Sequence, residues 1–147
     1  MEMIENDLDK FRSITTKLLE AEKKQAVVDP IPAEKLLESL DLGLDKNGID
    51  DEELYLKLQE VVMNTPRTAT NQFFNQLFGG RKSKAVLGDL MSVILNNSMY
   101  TYKVAGPMVG IEKEILRKTC NLIGYGKDAD GTIAPGGSMS NFMAMVM

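Results

Sequence analysis

The sequence predicts a mainly α-helical chain, and three observations carry that expectation. Apolar residues recur at steps of three and four over much of the 147 residues. Prolines, glycines and a capping pair fall where those periodic stretches begin and end. Extended character is confined to one short stretch near residue 133, where Thr132-Ile133-Ala134 reads as a short strand or an extended link.

Each element follows from its own signals. Ile4, Leu8, Phe11, Ile14 and Leu18 form one apolar stripe on an amphipathic helix. Pro30 and Pro32 interrupt the chain, and Pro32 suits the opening of a short helix carrying Leu36, Leu37 and Leu40. Asp50 followed by Glu53 is a capping box ahead of Leu54, Leu58, Val61 and Val62, and Pro66 stops that helix. The stretch Ala85 to Leu95 is apolar on several sides, which predicts burial. Pro107 starts a longer helix on which Met108, Ile111, Ile115 and Leu122 share a face, with Glu112, Glu114, Arg117 and Lys118 turned elsewhere. Gly124 or Gly126 ends it. Asp128-Ala129-Asp130-Gly131 reads as a turn, and the residues from Ser138 through Phe142 and Met145 open a last helix.

Composition bounds the class. With 44% hydrophobic residues and no run of 18 apolar positions, the chain is expected to form one soluble domain without a membrane span. The acidic start MEMIENDLDK lacks the apolar core of a secretory signal. A single cysteine, Cys120, within a helical pattern excludes a disulfide framework and suits a reducing compartment, so a cytoplasmic location is expected. Residues 1–60 hold 16 acidic and 8 basic side chains, net −8, and residues 61–147 hold 5 acidic and 9 basic, net +4. The second part therefore suits anionic ligands, but without a dense basic stripe it predicts no nucleic-acid partner.

Three further motifs fail on spacing or composition. Asp45, Asn47 and Asp50 surround Gly48 in the manner of a calcium loop, with the glycine at the wrong offset. Gly124-Tyr125-Gly126 imitates a dinucleotide fingerprint but follows a helix where a strand is required. With no histidine and one cysteine, no metal site is expected.

The run Pro135-Gly136-Gly137-Ser138-Met139-Ser140-Asn141 has the make-up of a phosphate seat. Two glycines permit a tight turn, and the free N–H groups of the helix start attract an anion. Ser138 and Ser140 add hydroxyl donors. The competing reading is a glycine turn with a serine N-cap opening an ordinary helix.

Three separated segments occur in a shared order and spacing: Asn71 to Gly80 (NQFFNQLFGG), Leu95 to Val104 (LNNSMYTYKV) and Gly131 to Asn141 (GTIAPGGSMSN). In them the chain resembles the pyridoxal-phosphate-dependent amino-acid decarboxylases, specifically the glutamate and cysteine-sulfinate decarboxylase group, from about Thr68 onward. The resemblance implies the N-terminal part of an α/β enzyme of aminotransferase type (fold type I). Residues 1–67 would be a helical N-terminal segment, and residues 68–147 the start of the cofactor-binding domain. It implies pyridoxal 5'-phosphate as cofactor, held by Ser138, Met139, Ser140 and Asn141. It further implies an amino-acid substrate approached by Gln76, with Leu77 and Phe78 beside it. An amide there can donate two hydrogen bonds to a carboxylate or sulfinate without adding charge, so an acidic amino acid suits it.

Asn97, Met99, Tyr100, Thr101 and Tyr102 match the second motif as packing and interface residues. Where the family commonly has His-Pro before its Phe-Phe pair, this chain has Thr70-Asn71-Gln72. The lysine that carries the cofactor, the ring-stacking residue and the acidic partner of the pyridine nitrogen lie further on in the family, so no catalytic residue is assigned within the chain. The uncapped apolar ending Met143-Ala144-Met145-Val146-Met147 agrees with a chain continued by the rest of the enzyme, as a C-terminal portion or a second chain. The family also implies a homodimer. The alternative is a non-catalytic helical interaction module derived from such an enzyme.

Overall fold

The computed structural model describes residues 2–28, 31–41, 43 and 47–147. Pro30 and Asp45 lie outside them. The order is α1 (Glu2–Lys24), a 3-10 turn (Ala33–Lys35), α2 (Leu36–Ser39), α3 (Asp51–Asn64), α4 (Ser83–Leu95), α5 (Tyr102–Ala105), α6 (Pro107–Leu122) and α7 (Gly137–Val146). Among the described residues there is no strand, and residues 132–134 form an extended link. The chain divides into two units, Met1–Ser83 and Lys84–Met147.

In the first unit α1 packs on α3. Of the predicted stripe Ile14 is 5% exposed and Leu18 partly covered, while Ile4, Leu8 and Phe11 are exposed; Ala21, one helical repeat beyond Ile14 and outside that stripe, is also buried. Burying a side chain of this size stabilises by about 1.5–3 kcal/mol. At the edge of the contact the Tyr55 hydroxyl donates to Ser13 Oγ at 3.0 Å, and Lys10 Nζ sits 5.9 Å from the centre of the Tyr55 ring. Phe11, Leu18, Leu54 and Leu58 stay partly open along a groove of about 470 Å³ between the two helices. Asp50 caps α3, accepting from the Glu53 N–H at 2.8 Å. Among the described residues the Glu53 carboxylate makes no return bond, so half of the expected box forms. Asp51, Glu52 and Glu53 complement the positive end of that helix. Thr65, held extended ahead of Pro66, ends it as expected. Pro32 precedes the 3-10 turn that leads into α2, and Leu40 just beyond is buried.

In the second unit Pro107 is the first residue of α6, and α5 packs back on α6 through the buried Ala105. Gly124 ends α6, at φ 86°, a left-handed conformation that a side chain disfavours. Its N–H donates to Asn121 O at 3.2 Å, and the Tyr125 N–H reaches back to Cys120 O at 2.9 Å. This pair of hydrogen bonds is the Schellman ending, and it assigns the cap to Gly124 instead of Gly126.

Two sequence expectations need correction here, the position of the turn after α6 and the burial of α4. On the apolar face of α6 formed by Met108, Ile111, Ile115 and Leu122, Met108 is partly covered while Leu122 is 86% exposed and Ile111 and Ile115 are about half exposed. Cys120 is buried, Leu116 and Glu112 are partly covered, and Leu116 Cδ2 lies 3.5 Å from where a Cβ on Gly131 would stand. The helix carries a second apolar stripe, and the returning segment after Gly124 lies over that one. The turn after α6 closes earlier than expected, with the Ala129 N–H donating to Gly126 O at 3.0 Å. Most of α4 is open, Val93 being 74% exposed, because among the described residues α4 packs on no other helix.

Candidate functional site

The candidate residues fall in two groups, one in each unit. Gln76, Leu77 and Phe78 share a single turn in the first unit. The Asn75 side chain builds it: Asn75 Oδ1 accepts from the Leu77 N–H at 2.8 Å, and Asn75 O accepts from the Phe78 N–H at 3.4 Å. Such an Asx turn is a side chain imitating backbone. The Phe78 ring meets Phe73 edge to face, centroids 5.4 Å apart and planes at 88°. With the turn clamped at its base, the Gln76 amide stands exposed and makes no hydrogen bond among the described residues. Beside it, Leu77, Phe78, Gly79, Gly80 and Arg81 line an open depression of about 360 Å³ with Thr68 and Ala69. Arg81 is paired with Glu22 of α1.

Ser138, Met139, Ser140 and Asn141 lie together in the first turns of α7 in the second unit. Gly136 is the cap residue at φ 109° and ψ 162°, a region essentially reserved for glycine. The N–H groups of Gly137, Ser138 and Met139 have no carbonyl four residues back inside the helix, so all three are free donors. The Ser140 N–H closes the first helical bond, to Gly136 O at 3.1 Å. No side chain caps the helix, and its first turn carries no acidic residue. Among the described residues the Ser138 and Asn141 side chains make no hydrogen bond, and both are exposed. Ser140 differs: its hydroxyl donates to Gly136 O at 3.2 Å, which turns that donor onto the backbone. A serine N-cap is therefore not what opens α7. Glycine does so, leaving the donors bare.

Residues 33–147 match the model of the pyridoxal-dependent decarboxylase conserved domain, and the chain belongs to that family. Its match begins well ahead of the first of the three sequence motifs. Among relatives, the chain is 38% identical over 112 residues to cysteine sulfinic acid decarboxylase of Mus musculus, covering 76% of this chain and 22% of the relative. It is 37% identical over 114 residues to acidic amino acid decarboxylase GADL1 of Bos taurus, covering 78% of this chain and 22% of the relative. The crystal structure of mouse CSAD superposes with a TM-score of 0.91 at 32% identity, over 99% of this chain and 31% of that one. The chain thus spans about a fifth of the length of the curated relatives it matches. Its helices are the N-terminal portion of a fold type I enzyme.

The family's cofactor is pyridoxal 5'-phosphate, and the donor set at α7 fits its phosphate. Three free N–H groups, those of Gly137, Ser138 and Met139, and the Ser138 hydroxyl lie together at the positive end of a helix with no carboxylate in its first turn.

Sequence reasoning overlooked Arg67, which is 7% exposed, and the pairing of Arg81 with Glu22. An arginine directly after a helix-stopping proline was the local signal for Arg67, since free carbonyls gather at helix ends. The Arg81 pair spans 59 positions and leaves no local trace. Among the described residues no cluster of His, Cys, Asp and Glu suits a metal, and no helix is long and apolar enough to cross a membrane. Asn97, Met99, Tyr100, Thr101 and Tyr102 are exposed, so among the described residues nothing covers the side chains expected to pack.

Proposed function

We propose that this chain is the N-terminal portion of a pyridoxal-phosphate-dependent decarboxylase that releases carbon dioxide from an acidic L-amino acid. Residues 1–67 form its helical N-terminal segment, and residues 68–147 begin the cofactor-binding domain ahead of the catalytic lysine. The observation that carries this reading is the start of α7, where Ser138 and Met139 offer unpaired donors around a glycine-only turn. When bound, the cofactor supplies the electron sink for loss of the carboxylate. The chain's own part is to hold the phosphate at α7 and to present the Gln76 amide to the acidic group of the substrate. Cysteine sulfinate, glutamate and aspartate are the substrate candidates, and the names of the relatives favour the first.

On this reading the chain acts with the remainder of the same enzyme, in a cytoplasmic homodimer, and is inactive by itself. The test is cofactor binding and turnover by the full-length enzyme. Ser138→Ala removes a hydroxyl donor to a charged acceptor, worth about 1.5–3 kcal/mol, and is expected to weaken cofactor binding roughly tenfold or more. Unchanged affinity in that variant overturns the assignment of the seat. The groove between α1 and α3 favours a second reading, a non-catalytic module that receives a partner. Full-length protein that gains no cofactor absorbance on addition of pyridoxal phosphate supports that alternative.

A further inference from the structure

Between α3 and the Gln76 turn the chain has no helix, yet it is a continuous series of turns hung from one buried cation. Arg67 donates three times to other segments: its backbone N–H to Val27 O at 2.7 Å, Nη1 to Ala26 O at 2.9 Å and Nη2 to Met63 O at 2.9 Å. Ala26 and Val27 lie just past the end of α1 and Met63 in the last turn of α3, so the Arg67 side chain ties a carbonyl at the negative end of α3 to the segment that leaves α1.

From the same residue the series continues. The Thr70 N–H donates to Arg67 O at 3.3 Å and the Phe73 N–H to Thr70 O at 3.2 Å. The Phe73 ring then abuts Phe78, which closes the turn over Asn75, Gln76 and Leu77. The Gln76 amide stands at its tip and makes no hydrogen bond among the described residues.

We propose that Arg67 is a positioning residue that fixes the Gln76 amide against the α1–α3 pair. The inference rests on the reading of Gln76 as a substrate contact. Lysine cannot replace the fork, because an ammonium on a flexible stem is a point charge that does not hold two carbonyls in fixed directions. Arg67 Nε and Thr70 Oγ1 are buried without partners, a cost that an apolar residue at this corner would avoid. Holding a geometry accounts for an arginine here where stability alone does not.

The test is a double-mutant cycle in the full-length enzyme, with cysteine sulfinate, glutamate and aspartate as substrates. Gln76→Ala is expected to raise KM. Arg67→Lys is expected to raise KM by about tenfold with a smaller change in kcat and unchanged bound-cofactor absorbance, since misplacement alone is costly. Introduced into Gln76→Ala, Arg67→Lys is expected to add nothing. Hydrogen exchange should quicken over residues 70–78 and stay unchanged over α6. Asn75→Ala loosens the other end of the series at an exposed position and must reproduce the KM rise even if Arg67→Lys fails to fold.

Wild-type KM in Arg67→Lys or in Asn75→Ala, or additive effects in the double variant, overturns the role of Arg67 and leaves the substrate reading standing. Wild-type KM in Gln76→Ala for all three acids overturns both.

Discussion

Gly136 combines φ 109° with ψ 162°, and a Cβ there would meet no atom within 4 Å, so its constraint is conformational and not spatial. Gly136→Ala is expected to cost about 1–3 kcal/mol and to loosen the α7 seat, whereas Gly137→Ala, at an ordinary φ with open space around it, is expected to cost less. Thermal melts and pyridoxal phosphate titrations of the two variants check this, and equal losses would contradict it. The seat was legible in the sequence because it is local: glycine pair, serines and helix start are adjacent. The Gln76 turn was half legible. Asn75 was visible as a polar turn residue, but its clamp on Leu77 is a matter of side-chain direction. Arg67 was not legible, since two of its carbonyl partners stand about forty positions away.

Among the elements, α3 and α6 show what local signals do and do not decide. Asp50→Ala removes the cap bond to Glu53 and is expected to destabilise the first unit by about 1 kcal/mol, measured by denaturant unfolding. The helix α6 was found in the sequence with its proline start and glycine end, but which of its apolar faces is covered was not decided there. A helix with two apolar stripes satisfies periodicity either way, and the path taken after Gly124 is what covers Leu116 beside Cys120.

On the solvent side of α6, Arg117 donates to Glu114 at 2.8 and 2.7 Å. That hydrogen bond, aided by the charges of Arg117 and Lys118, holds the Glu114 carboxyl below its ordinary range. A lowered carboxyl stabilises the fold above the unfolded range and ceases to do so as pH falls through its folded value. An NMR titration should therefore find Glu114 titrating below an unpaired glutamate, and Arg117→Gln should bring it back up. Being exposed, the pair contributes little to stability.

Across the chain, uncovered apolar surface outweighs core. In the residues described from Lys84 onward, Ala105 and Cys120 are the buried hydrophobic side chains, while Leu87, Val93, Ile94, Leu95, Phe142 and Met145 are among those exposed. Patches of this kind belong to surfaces that receive other protein. The 16.3 kDa chain prepared alone is expected to bind a hydrophobic dye and to scatter light as species above its own mass. The full-length enzyme should lose the dye signal, and a dye-free monomer from the chain alone would contradict this.

The stretch Met91-Ser92-Val93-Ile94-Leu95 of α4 holds no charge and no proline to hinder strand pairing. During synthesis it leaves the ribosome before anything later in the polypeptide can shield it. Recovery from a bacterial host should thus depend on cool growth and on abundant holdase chaperones, and a single lysine in place of Val93 should shift protein from inclusion bodies to the supernatant.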